Sequence, residues 1–110
     1  MLRRYVEQIL GIYNYIDGLV VANKKGIIEY FITYRPDVNK LKEEDVVGKH
    51  ILDVYPELTP ETSSIMRVLK DGKPIFNEMQ HLTTNKGQSF YAVNSTMPIV
   101  SGEDIIGVVD

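Results

Sequence analysis

Turns built around glycine cut this chain into short segments, and their positions leave few folds open to it. Asp17-Gly18, Asn23-Lys24-Lys25-Gly26, Asp71-Gly72, Asn85-Lys86-Gly87 and Ser101-Gly102-Glu103-Asp104 each supply the polarity or the positive φ of a tight reversal or a helix stop. Between and beside them lie five runs with strand character, at 19–23, 27–32, 75–84, 88–100 and 105–110. Residues 2–16 behave differently. There Leu2, Tyr5, Val6, Ile9, Leu10, Tyr13 and Ile16 fall at spacings of three and four, which predicts an amphipathic helix.

The middle of the chain reads as helical but broken. Pro36 opens a short helix over 37–41, residues 43–47 make one turn, and 49–55 make another before Pro56. Thr59-Pro60-Glu61-Thr62 reads as the start of a longer helix, with Thr59 as its cap and Pro60 in its first turn. That helix runs to about Lys70 and buries Ile65, Met66, Val68 and Leu69. The order of helix, two strands, short helices and three strands predicts an α+β domain. It is a five-stranded antiparallel sheet with the helical middle laid across one face. A single domain is all that 110 residues can supply.

Composition removes several function classes. The net charge of −3 and the isolated pairs Arg3-Arg4 and Lys24-Lys25 argue against direct nucleic-acid contact by this segment. There is no cysteine, which excludes disulfides, thiolate metal sites and cysteine-based catalysis or photochemistry. No apolar run approaches the roughly 20 residues that span a bilayer, and no apolar stretch follows Met1-Leu2-Arg3-Arg4 to make a signal peptide. A cytoplasmic location without membrane contact is expected. The last run stops on Val109-Asp110 with no cap or tail, which predicts a fragment of something longer.

Four stretches carry a family resemblance. Residues 17–30, from Asp17-Gly18 through Gly26 to Tyr30, resemble the opening hairpin of a PAS domain. Val46-Val47-Gly48-Lys49-His50-Ile51-Leu52-Asp53-Val54-Tyr55-Pro56 is similar to that family's short internal helix. Lys70-Asp71-Gly72-Lys73-Pro74 and Met97-Pro98-Ile99-Val100, with Gly102 and Gly107, match its later loop and final hairpin. The resemblance divides the chain into a flanking helix at 1–16 and a PAS sensor domain at 17–110. The lead-in Tyr34-Arg35-Pro36 and the stretch from Tyr91 to Pro98 look like the N-terminal sensors of sigma-54-dependent transcriptional activators, of the arginine-utilisation type. Such a sensor precedes other domains, and contacts with DNA, ATP and the sigma-54 RNA polymerase would belong to those absent domains.

No catalytic constellation appears. His50 and His81 stand 31 residues apart, Glu43-Glu44-Asp45 are adjacent and diverge, Ser63-Ser64 lack a nucleophile turn, and no glycine-rich phosphate loop is present. An enzyme is therefore not expected, nor a metal or other cofactor. On the strand from Phe90 to Met97, alternation puts Phe90, Ala92, Asn94 and Thr96 on one face. The resemblance turns Ala92, Asn94 and Thr96 toward the helices and implies that Tyr30, Tyr34, Tyr55, Met66 and Phe76 line or gate a cavity there. Two polar side chains buried there need partners, which a ligand, a water or the backbone can provide. A small polar metabolite, amino-acid-related by resemblance, is the expected signal, and the alternative is a ligand-free dimerisation or interaction module. The apolar face of the 2–16 helix, wider than one sheet contact needs, predicts a homodimer through that helix.

Overall fold

The computed structural model describes residues 18–33 and 40–110. Its sheet has five strands, β1 (Gly18–Asn23), β2 (Ile28–Thr33), β3 (Ile75–Thr83), β4 (Ser89–Ser101) and β5 (Asp104–Val109), in the spatial order β2-β1-β5-β4-β3. All neighbours are antiparallel. The central pair joins the two ends of the sequence: Ala22 of β1 stands opposite Val108 of β5. Three short helices lie between β2 and β3, namely α1 (Glu43–Val46), α2 (Ile51–Val54) and α3 (Ser64–Asp71). The expected five-stranded sheet with short helices is what forms. The expected helix at 2–16 lies outside the described residues.

The turns act as their composition demands. Gly26 has φ +82 and is buried against the imidazole of His50, so that a Cβ would stand 2.6 Å from its Nε2. Only a glycine can close the β1–β2 hairpin there. Asn23 holds the same turn, its Oδ1 accepting from the N–H groups of Lys25 (2.9 Å) and Ile27 (3.1 Å). At the far end of α3, Gly72 takes the left-handed cap position (φ 72) and donates its N–H to Val68 O.

The helical middle differs from expectation in three places. Lys40 is left-handed (φ 59), and neither it nor Leu41 is helical, so the turn expected over 37–41 does not reach them. Leu41 is instead a core residue, 1% exposed. The expected helix over 49–55 is shorter, because His50 has left the helix to cap it, its Nδ1 accepting from Leu52 N–H at 3.1 Å. The long helix begins at Ser64 and not at Thr59. Thr59 and Thr62 do cap each other reciprocally, with Thr59 N–H to Thr62 Oγ1 at 2.8 Å and Thr62 N–H to Thr59 Oγ1 at 3.2 Å. That turn closes on itself. Ser63 then extends (ψ 122) and caps a new helix through Met66 N–H at 3.3 Å.

The helices cover one face of the sheet, with α3 against β4 and β5. Ile28, Phe31, Val46, Ile51, Val54, Ile65, Val68, Leu82 and Val108 are all buried between them. Burial of one such side chain contributes about 1.5–3 kcal/mol. Pro98 lies beyond Thr96, the last residue paired to β3, so its missing N–H interrupts no bond to that strand. In the central pair, a Cβ at Gly107 would stand 2.5 Å from the backbone oxygen of Ala22. Gly107→Ala is therefore expected to cost about 1–3 kcal/mol in urea unfolding, because backbone on a neighbouring strand has nowhere to go. An unchanged midpoint would mean that β1 and β5 are not packed this closely.

Candidate functional site

A row of polar side chains runs through the space between α3 and the sheet, where an apolar core would be the default. Alternation in β4 turns Ala92, Asn94 and Thr96 inward and leaves Tyr91, Val93 and Met97 exposed, as expected from the sequence. Thr96 is fully buried. Its hydroxyl contacts the Oγ of Ser64 at the start of α3 (3.0 Å) and the carboxyl of Asp110 just past β5. Ser64 Oγ lies 3.4 Å from Gln80 Oε1. Gln80, on β3 and 8% exposed, accepts at that same oxygen from Asn94 Nδ2 (2.7 Å) and donates from Nε2 to Thr62 O (3.0 Å). The row thus links the loop before α3, the helix itself, two strands and the residue that follows β5. No buried side-chain nitrogen or oxygen among the described residues lacks a partner.

One end of the row meets the surface. A cleft of about 360 Å³ lies along β3, lined by Leu58, Glu61, Thr62, Arg67, Glu78, Met79, Gln80 and His81. Arg67 and Glu78 form an ion pair in its wall, both half-buried. Gln80 belongs to the cleft and to the buried row at once.

The other end is Asp110. Burial pushes its carboxyl up to about 6, against the hydroxyls of Thr96 and Ser64, which hydrogen-bond it and pull the other way; the charge of Glu78 adds to the rise. Burial likewise pushes Tyr55 up to about 12, with the Asp110 charge as a second cause. Asp45 moves oppositely: its ion pair with Lys86 (2.8 Å) and the N–H of Lys42 hold it below the usual carboxylate range, on the surface between α1 and the β3–β4 turn.

The sequence-derived site residues divide. Tyr55 belongs to the buried core, with Met66 and Ala92 packed against it. Asn94 and Thr96 are in the polar row. Tyr30 (39% exposed) and Phe76 (62% exposed) stand outside this group, and Tyr34 lies outside the described residues. Phe76 was expected to line or gate the cavity; a bulge between Ile75 and Glu78 turns it outward. At the bulge Asn77 is left-handed (φ 54) and its N–H donates to Ser95 Oγ (3.1 Å). Ser64, Gln80 and Asp110 were not anticipated. Gln80 and Asp110 each stand two residues from a buried apolar position, Leu82 and Val108, and an inward polar residue in a strand is the signal that would have found them.

No group of three or more His, Cys, Asp or Glu that could hold a metal occurs among the described residues, and no helix there is long and apolar enough to cross a membrane.

Comparison with solved structures places the fold. A PAS domain of a protein from Colwellia psychrerythraea matches with a TM-score of 0.70 over 96% of this chain and 92% of that one, at 15% identity. The chain has the PAS fold. A second match, to a chain of the E. coli DhaR(N)–DhaL complex, has a TM-score of 0.60 at 14% identity, covering 98% of this PAS chain and 35% of that one. In sequence, 93 residues (84% of the chain) are 30% identical to the transcriptional activator RocR of Bacillus subtilis (strain 168), and the chain spans about a fifth of that protein's length, 20%. No protein-family model matches the chain. The resemblance to PAS domains and to a transcriptional activator, read first from the turns and from residues 46–56, is thus met in fold and in sequence.

Because the folded PAS domain holds the Asp110 proton more tightly than an unfolded chain does, Asp110 favours folding most below about 3.8. That contribution is lost as pH rises through about 6. Relative to Asp110→Asn, the wild type is expected to lose about 2 kcal/mol of stability between pH 4 and pH 7, most of the roughly 3 kcal/mol that a rise from 3.8 to about 6 carries at about 1.4 kcal/mol per pH unit. Urea unfolding of both proteins at several pH values measures this, and parallel profiles would place the carboxyl in water.

Proposed function

We propose that this PAS domain is the signal-sensing module of a longer cytoplasmic transcriptional regulator and is itself no enzyme. It binds a small polar metabolite at the cleft along β3 and passes the event to a downstream output domain. The observation that carries this reading is the double membership of Gln80. Its amide forms part of the cleft wall and is also hydrogen-bonded to Asn94 and Thr62, within reach of Ser64. A ligand that bonds to Gln80 must therefore take up or release a bond of the buried row, and differential bonding of this kind is what shifts a population between two states. The wall carries both signs of charge, with Arg67 against Glu61 and Glu78, which suits a compound bearing both an acidic and a basic group. Asn94 and Thr96 then act from behind, holding Gln80 and Ser64 in place. The sequence likeness to a transcriptional activator supports the regulatory setting, and DNA, ATP and polymerase contacts would fall to other domains.

A second reading, an interaction module, is favoured by the outer face of the sheet. Phe76, Met79, Tyr91, Val93, Met97, Val100 and Ile106 are large, apolar and 41–73% exposed on β3, β4 and β5. A patch of that kind suits a protein contact. The apolar stripe of residues 2–16 is one candidate for it, within a homodimer.

Thermal unfolding with a panel of small zwitterionic metabolites at millimolar concentration separates the two readings. At a concentration 100 times Kd, a ligand stabilises by about 2.7 kcal/mol. A sensor should show a raised Tm with at least one compound, and Gln80→Leu should abolish that rise. No rise with any compound, together with a dimer that Val93→Glu dissociates, would favour the interaction module.

A further inference from the structure

Two hydroxyl groups stand in line between an amide oxygen, which only accepts, and a carboxyl group, which either accepts or donates. The amide is fixed the right way round, because Gln80 Nε2 donates to Thr62 O and its Oε1 receives Asn94 Nδ2. Ser64 and Thr96 bring one proton each. With Asp110 ionised, Thr96 donates to the carboxylate, Ser64 donates toward Thr96 or the carboxylate, and Gln80 receives nothing from the helix. With Asp110 protonated, its O–H donates to Thr96, the Thr96 proton turns to Ser64, and the Ser64 proton turns to Gln80 Oε1, 3.4 Å away. Every bond of the row then points the same way, and each polarises the next.

We propose that Asp110 is a proton-binding site whose occupancy is passed through Thr96 and Ser64 to Gln80, so that one proton at the end of the sheet governs the hydrogen bond between α3 and β3. The main chain of Asp110 stays fixed while this happens, because its N–H donates to Val20 O and its oxygen accepts from Val20 N–H. The charged and titratable groups around it come from three elements. Tyr55 follows α2, Glu78 lies on β3, and Arg67 of α3 is held by Glu78. On its flanks β1 supplies the Val20 backbone and β4 supplies Thr96. The Asp110 carboxyl, raised to about 6, exchanges its proton within the physiological range. This device needs no metabolite, and it stands whether or not the cleft binds one.

Nuclear magnetic resonance of the labelled protein tests it. The Asp110 carboxyl carbon should titrate with a midpoint near pH 6, and the Gln80 side-chain amide and Ser64 signals should move with that same midpoint. In Ser64→Ala, which removes the hydroxyl that reaches Thr96, the carboxyl and Gln80, Asp110 should still titrate while the Gln80 signals lose their response, and Asp110→Asn should abolish the response everywhere. Ser64→Gly removes the same hydroxyl and serves if Ser64→Ala does not fold. Gln80 signals that do not titrate in the wild type, or that keep their midpoint in the cut variants, would overturn the proposal.

Discussion

Thr96 has no access to water, and its hydroxyl has to be satisfied from within. A buried hydroxyl left without a partner costs about 1–3 kcal/mol, while each bond it makes contributes about 1 kcal/mol net. The need is met by Ser64 from the helix and by Asp110 from beyond the last strand. Those two partners fix where α3 starts and how it lies over β4 and β5. The helix cannot begin at Thr59, because Ser63 must extend so that it caps the helix and Ser64 faces the sheet. Gln80 completes the set by accepting from the Ser64 hydroxyl, at an oxygen that Asn94 Nδ2 also bonds. An apolar core would hold the same layers together with less geometric demand. A polar row with every member bonded specifies one arrangement, and it responds as a unit when one bond changes.

The sheet was legible because its signals are local. Glycine turns and two-residue alternation found all five strands to within a residue or so, and alternation in β4 turned Asn94 and Thr96 the right way. What the sequence hid was who meets whom. Thr96 reaches Ser64 across 32 positions and Asp110 across 14, distances that no periodicity reports. In sequence Ser64 presents itself only as a candidate nucleophile, since nothing near it suggests a carboxyl partner. Phe76 went astray for a different reason: the bulge at Asn77 reverses the expected side, and bulges leave a weak trace in sequence. The start of α3 was misplaced because Thr59 and Thr62 carry a true cap signature, which here serves a single turn.

The fold therefore presents two unlike faces of one sheet. The outer face is apolar and exposed, as a contact surface is. The inner face carries the polar row, from a charged cleft at Gln80 to a buried carboxyl at Asp110. The signalling role proposed above falls to this row, because it joins the cleft at Gln80 to Asp110 beside the central strands through hydroxyls that can donate in either direction. That claim concerns coupling, and coupling is measurable. A double-mutant cycle between Gln80→Leu and Asp110→Asn, in urea unfolding at neutral pH, compares two residues that share no direct bond. If the row acts as a unit, the two effects depart from additivity by more than about 0.5 kcal/mol. Effects that add within about 0.3 kcal/mol would mean that Ser64 and Thr96 do not connect them.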